Sequence, residues 1–207
     1  MSSPRKRSQE RIEQIEKFLV NIFPNVISKK IIESTHTETI VESSRIKRPD
    51  GFYIFTIRKG NDSHGILVYK ETHATQGAKY YLYEPNGRRH INEGYTFNVR
   101  ISSDSSFVEL DTRMVPERSI NDHVGHCALW CIIVIILWNS FEGNDRWVAL
   151  DIFNTQMMSD FKVRKDFIEN VQKLVLNRGK SYTDERQVID FIEQVRALIF
   201  AIPIVIP

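Results

Sequence analysis

Apolar residues recur at helical spacing near both ends of this chain. Close to the amino terminus, side chains three or four positions apart predict a helix that ends at Pro24: Ile12, Ile15, Phe18, Leu19, Ile22 and Phe23. A short second helix is expected over residues 26–33. In the carboxy-terminal half, the same spacing predicts helices from Val124 to about Asn139, over residues 158–177, and from near Thr183 onward.

The middle of the chain has a different pattern, in which short runs of β-branched and aromatic residues alternate with turn sequences. Six such runs are predicted to be strands: residues 39–46, 52–58, 65–70, 79–83, 95–101 and 107–111. Strands at this close spacing indicate one mostly antiparallel sheet. The expected fold class is therefore α+β, with a central sheet flanked by helices.

Composition and charge narrow the class of protein further. The chain has 207 residues, 42% hydrophobic and 26% charged, with no apolar stretch of the roughly 20 residues that a membrane helix needs. No signal-peptide pattern is visible at the amino terminus, and the two cysteines lie four positions apart in one predicted helix. We therefore expect an intracellular protein in a reducing compartment, with both thiols free.

The amino terminus carries a local concentration of positive charge, although the net charge of the whole chain is only +2. This basic cluster consists of Arg5, Lys6, Arg7 and Arg11. It predicts a basic, flexible tail over residues 1–10, with a nucleic-acid contact as one possible use. Residues 11–207 are expected to form a single domain.

Cys127 is the candidate nucleophile because it opens the most apolar helix of the chain, after a loop-like stretch over residues 119–126. The positive end of a helix favours a thiolate in the first turn, and the free N–H groups there can bind an oxyanion. The nucleophile would thus lie at the N-terminus of a buried central helix. The alternative is a buried structural cysteine, the role we assign to Cys131 one turn deeper.

A base and a carboxylate precede this cysteine in the chain. His64 begins an apolar strand, and Glu84 closes another one just before a turn. An imidazole can take the proton from a thiol, and a carboxylate on a neighbouring strand can hold the imidazole in one tautomer. His126 is a second candidate for the base, although within a helical turn its side chain should diverge from that of Cys127.

Four possible zinc ligands also lie near this cysteine: His123, His126, Cys127 and Cys131. Their spacing departs from that of paired zinc-ligand motifs, and Cys131 would have to leave its apolar helix to reach a metal. The sequence therefore predicts neither a metal site nor a cofactor.

Three strings carry a resemblance to a known family: Ser63-His64-Gly65, Tyr81-Leu82-Tyr83-Glu84-Pro85-Asn86-Gly87 and Cys127-Ala128-Leu129-Trp130-Cys131. In order and separation they resemble the adenovirus protease (adenain) family of cysteine peptidases. More loosely, they resemble the wider clan of viral maturation proteases and proteases specific for SUMO and other ubiquitin-like proteins. The resemblance covers roughly residues 51–141.

This resemblance implies that Cys127 is the nucleophile, His64 the general base and acid, and Glu84 the residue that orients His64. The backbone N–H of Cys127 would form part of the oxyanion hole. The segment over residues 107–110 lacks the cysteine with which the family binds an activating peptide, and the flanking segments show no resemblance. Two positions of the candidate site also depart from the family pattern. Gly65 replaces a tryptophan that follows the histidine, and Asn121 is the best substitute for a glutamine that donates to the oxyanion.

The implied activity is that of a viral maturation protease, which would cleave polyprotein or capsid and core precursors after small residues, at sites of Gly-Gly-X type. The expected location is the virion, or the cytoplasm or nucleus of a host cell. Two alternatives stay open. One is a protease that removes a ubiquitin-like modifier and needs the folded modifier for activity. The other is a non-catalytic virion structural protein that retains the protease fold.

Overall fold

The computed structural model describes residues 4–33, 38–40, 48–59, 62–75, 77–85, 99–101, 106–109, 126–177 and 181–202. In these segments the helices are α1 (Pro4–Ile22), α2 (His126–Trp138), α3 (Asp145–Ser159), α4 (Phe161–Leu176) and α5 (Glu185–Phe200). The strands are β1 (Val26–Glu33), β2 (Glu38–Ile40), β3 (Gly51–Lys59), β4 (Asp62–His73), β5 (Gly77–Tyr83), β6 (Val99–Ile101) and β7 (Ser106–Glu109). The predicted α+β class is confirmed.

Five of these strands form one mixed sheet in the order β1-β3-β4-β5-β7. The three central strands are antiparallel neighbours, whereas β1 joins β3 and β7 joins β5 in parallel. Strands β2 and β6 form a separate parallel pair. The antiparallel pairing expected from the sequence is therefore present in the centre of the sheet, whereas the strand at each edge pairs in parallel with its neighbour.

Helix α2 lies at the centre of the main hydrophobic core. Every residue of α2 except Ala128 is buried, as expected for a helix that is apolar on all sides. The helix contacts β3, β4 and each of the other four described helices. Since side chains alternate between the faces of a strand, one face of the sheet packs on α2 and the opposite face forms a second apolar cluster. The start of α2 is thereby held against β4.

The prediction of a helix over residues 26–33 is wrong, because this segment forms strand β1. Four of its eight residues are valine or isoleucine, which favour extended structure. The strand also gains a parallel partner, with Val26 opposite Phe52 and Glu33 opposite Arg58. Pairing with a distant strand therefore outweighs the local tendency to continue as helix.

The predicted flexible tail over residues 1–10 also needs correction, because α1 already begins at Pro4. Proline is favoured at the first position of a helix, where its missing N–H costs no hydrogen bond. Ser8 is buried one turn before the core residue Ile12, so the packed face of α1 extends into the basic cluster.

Residues 158–177 were expected to form one helix, but two helices meet at Asp160. The Asp160 carboxylate accepts hydrogen bonds from the N–H groups of Lys162 and Val163, at 2.8 and 3.1 Å, and so caps the start of α4. Helix α3, which precedes this cap, was not predicted from the sequence because its apolar residues do not form a single stripe.

None of the described helices is long and apolar enough to cross a membrane.

Arg11 of the basic cluster ties α1 to the end of α4. Its guanidinium donates hydrogen bonds to the carbonyl oxygens of Val175 and Asn177, at 2.8 and 2.9 Å. These carbonyls lie at the C-terminal end of α4, where intrahelical donors run out and a cation is favourable.

We expect Arg11→Ala to lower the free energy of unfolding by about 1–2 kcal/mol, because both carbonyls lose a charged donor. Urea denaturation of the purified variant measures this loss. Arg7→Ala is the matched control, since Arg7 is exposed and its removal should change stability by less than about 0.5 kcal/mol. Equal stability of the two variants would contradict a capping role for Arg11.

Candidate active site

His64 and Glu84 form a buried hydrogen-bonded pair. His64 is the third residue of β4, and Glu84 directly follows the last residue of β5. The register pairs Leu67 with Tyr83, which makes His64 and Glu84 diagonal neighbours on the two strands. His64 Nε2 lies 2.8 Å from Glu84 Oε2, and the two residues are only 8% and 3% exposed.

The position of Glu84 is set by the residues around it. Leu82 and Tyr83 before it are fully buried, and Pro85 after it is buried as well. Because proline has no N–H to donate, it cannot continue a strand ladder, and β5 ends here. The carboxylate is therefore fixed at the end of the strand, on the side where β4 carries His64.

Cys127 approaches this pair from the helical layer. It is the second residue of α2, and its sulfur accepts a hydrogen bond from the backbone N–H of Gly65 at 3.2 Å. The described pairing of β5 with β4 begins at Leu67 and does not include Gly65. At Gly65, the edge of β4 contacts the first turn of α2. The Cys127 side chain also lies close enough to His64 to interact with its ring. Since Nε2 of His64 is engaged by Glu84, Nδ1 is the ring nitrogen that is left to interact with the sulfur.

The surroundings of His64 stabilise its charged form. Burial disfavours a charge on the ring, but hydrogen bonds to Cys127 and Glu84, together with the negative charge of both groups, outweigh this effect. The pKa of His64 is therefore well above its usual value of 6.5.

His126 and Cys131 have different surroundings from the pair of His64 and Glu84. The fully buried His126 ring places Nε2 3.2 Å from Oε1 of Gln172 on α4, in the packed layer of helices. Cys131 has no exposed surface, and burial is the main reason why the pKa of its thiol lies well above 9.0. Of the two candidate bases, His64 interacts with Cys127, whereas the described contact of the His126 ring is with Gln172.

The alternative of a zinc site involved His123, which lies outside the described residues. Among those that are described, no group of three His, Cys, Asp or Glu side chains is arranged to hold a metal ion. Cys127 and Cys131 are both free thiols.

Gly65 was not predicted to take part in the site. In the sequence it is noted only as a departure from the family pattern. A Cβ atom at this position would lie 2.9 Å from Cα and 3.0 Å from the backbone N of Ala128. No such atom fits without moving α2 away from β4. A glycine inside an otherwise apolar strand is a known signal of close backbone approach, and that signal could have identified it.

Other predicted positions are less informative. Asn121, the expected second donor to an oxyanion, lies outside the described residues. In the basic cluster, Arg5 and Lys6 belong to α1 but their side chains are not described. Arg7 is exposed, and Arg11 is used to cap α4.

No protein-family model matches this chain, and a search of curated proteins finds no significant match. The geometry of the site is therefore the basis on which its chemistry can be assigned.

Proposed function

We propose that this protein is a cysteine endopeptidase with the triad His64, Glu84 and Cys127. The observation that supports this most strongly is the buried hydrogen bond between Glu84 and His64, with the sulfur of Cys127 held beside His64 by the N–H of the next residue, Gly65. Its members come from three elements, the end of β5, the start of β4 and the first turn of α2. A carboxylate, an imidazole and a thiol in contact in this order are the groups that thiol-dependent acyl transfer requires.

The charge state of His64 suits it to activate the cysteine. A protonated imidazole beside the sulfur, together with the N-terminal end of α2, stabilises negative charge on Cys127. Glu84 accepts from Nε2–H of His64, which leaves the proton on Nδ1 directed at the sulfur. In the resting enzyme we therefore propose a thiolate–imidazolium pair.

The reaction then follows from these positions. The Cys127 thiolate attacks the scissile carbonyl carbon, and the carbonyl electron pair moves onto oxygen. When this intermediate collapses, the C–N bond breaks and His64 gives its proton to the leaving amine. A water then attacks the thioester while His64 takes one of its protons. Breakage of the C–S bond releases the acid and restores the Cys127 thiolate beside the protonated His64.

The oxyanion of each intermediate needs donors near the attacked carbon. The first N–H groups of a helix have no intrahelical acceptor, and the N–H of Cys127, as the second residue of α2, is one of them. We propose this N–H as one donor and the Asn121 amide as the other. Loss of one such donor typically costs about a hundredfold or more in kcat.

The substrate class in this proposal comes from the resemblance of three sequence strings to the adenovirus protease family. It extends the proposal to a viral maturation protease that cleaves capsid or core precursors after glycine or another small residue. In the same proposal, the exposed Arg7 and its basic neighbours on α1 would contact the packaged nucleic acid.

Selective alkylation tests the triad without knowledge of the substrate. At pH 7, iodoacetamide should modify Cys127 at least about tenfold faster than Cys131, because thiolate is the reactive form and Cys131 is kept neutral by burial. Peptide mass spectrometry of the intact, folded chain measures both rates in one sample.

Two histidine variants identify the activating base. His64→Gln should slow the modification of Cys127 at pH 7, since the imidazolium beside the sulfur is lost. His126→Gln is the matched control, because His126 faces Gln172, and it should leave the rate within about twofold. If His64→Gln leaves Cys127 as reactive as in the wild type, the proposed triad is wrong.

A further inference from the structure

Gly65 contributes its backbone rather than a side chain to this site. Its N–H lies 3.2 Å from the sulfur of Cys127, within the range of a hydrogen bond to sulfur. The contact joins β4 directly to the first turn of α2, 62 positions later in the chain. It is a hydrogen bond to the proposed reacting atom itself.

Space, and not backbone conformation, makes glycine necessary here. The described glycines with positive φ are Gly51, Gly77 and Gly143, and Gly65 is not among them. The conformation at Gly65 is therefore open to other residues. The obstacle is the backbone of Ala128, which an added Cβ would approach to 2.9 Å. A backbone cannot turn aside as a flexible side chain can.

We propose that the Gly65 N–H is a catalytic hydrogen-bond donor that stabilises negative charge on the sulfur of Cys127, and that glycine is required at position 65 to bring this donor within reach. This inference rests on the proposed cysteine-protease function. It assigns a catalytic role to the backbone at a position where the family that this chain resembles has a tryptophan.

The donor matters most in two states of the reaction. In the resting enzyme it stabilises the thiolate together with His64. In the breakdown of the second tetrahedral intermediate, the C–S bond breaks and its electron pair returns to sulfur. A donor already aimed at the sulfur then lowers the barrier to its departure. In the thioester between these states, the sulfur carries no charge and the hydrogen bond is weak.

Replacement of Gly65 by glycolic acid during cell-free translation removes the N–H donor without adding a side chain. The resulting ester exchanges N–H for oxygen and adds no atom toward Ala128. At pH 6.5 the ester protein should react with iodoacetamide at Cys127 about ten- to a hundredfold more slowly, as expected for a lost charge-assisted hydrogen bond. As the pH is raised, its rate should approach that of the wild type.

The same ester at Gly143 is the matched control. Gly143 lies in the exposed turn between α2 and α3, with nothing within 4 Å of an added Cβ. Its substitution should leave the alkylation profile of Cys127 unchanged. A general weakening of the fold would slow or speed alkylation at all pH values, whereas the proposed role predicts a difference that disappears at high pH.

An NMR titration of the wild-type protein provides a second measurement, independent of the ester. The Gly65 amide proton should shift downfield over the pH range in which Cys127 becomes reactive, and Cys127→Ala should abolish that shift. If the amide shift does not follow the alkylation profile, or if the ester protein keeps the wild-type profile, the inference is overturned.

These outcomes are separable from the proposed function. When His64→Gln slows alkylation but the Gly65 ester does not, the triad stands and the role of Gly65 is rejected. When neither change affects Cys127, both proposals fail.

Discussion

Cys127→Ala should abolish cleavage of peptides that contain a Gly-Gly-X site, with kcat reduced by about 10⁴-fold or more. In the proposed mechanism Cys127 alone forms a covalent bond with the substrate, whereas His64 transfers protons and Glu84 orients His64. The change removes one buried sulfur from the first turn of α2 and should leave the circular dichroism spectrum unchanged. Fluorogenic peptides assayed at pH 7 measure the loss.

Cys131→Ala is the matched control for this experiment. It removes an identical thiol one turn further along α2, where the side chain has no exposed surface. Stability should fall by about 1–2 kcal/mol because a small cavity opens in the core, while kcat stays within a few-fold. Residual cleavage in Cys127→Ala, or loss of cleavage only in Cys131→Ala, would show that the nucleophile has been misassigned.

Glu84→Gln should lower kcat by about 10²–10⁴-fold and move the alkaline limb of the pH profile to lower pH. Glutamine keeps the size of the side chain and an acceptor for Nε2–H of His64. It removes the negative charge that helps to raise the pKa of His64 above 6.5. The imidazolium required by the mechanism is present below that pKa and is lost as the pH rises through it. A lower pKa of His64 therefore means that activity is lost at a lower pH.

The measurements are kcat against pH and the NMR titration of the His64 ring proton. Glu71→Gln is the control, because Glu71 forms a similar but more exposed contact with His73, 3.2 Å between Oε2 and Nε2, at the other end of β4. That variant should leave both the pH profile and kcat unchanged. An unaltered His64 titration in Glu84→Gln would remove the basis for an orienting carboxylate.

Much of the architecture could be predicted because it depends on local periodicity. The apolar run after His126 can only be a buried helix, and the turn sequences around β3, β4 and β5 divide the middle of the chain into strands. The predictions of secondary structure were wrong where contacts with a distant segment of the chain determine the structure. Strand β1 forms because β3 lies beside it, and α1 begins as early as Pro4, with Ser8 already buried in its second turn.

For the site, the sequence by itself determined which groups are present and where each lies in its element: an imidazole at the start of a strand, a carboxylate at the end of the next, and a thiol in the first turn of an apolar helix. Only the tertiary structure decided which of them meet. Strand register brings His64 to Glu84, helix rotation turns His126 toward Gln172, and the packing of α2 on β4 places Gly65 N–H against the sulfur. Hydrogen bonds act over about 3 Å, so contacts between distant segments depend on packing that no local pattern encodes.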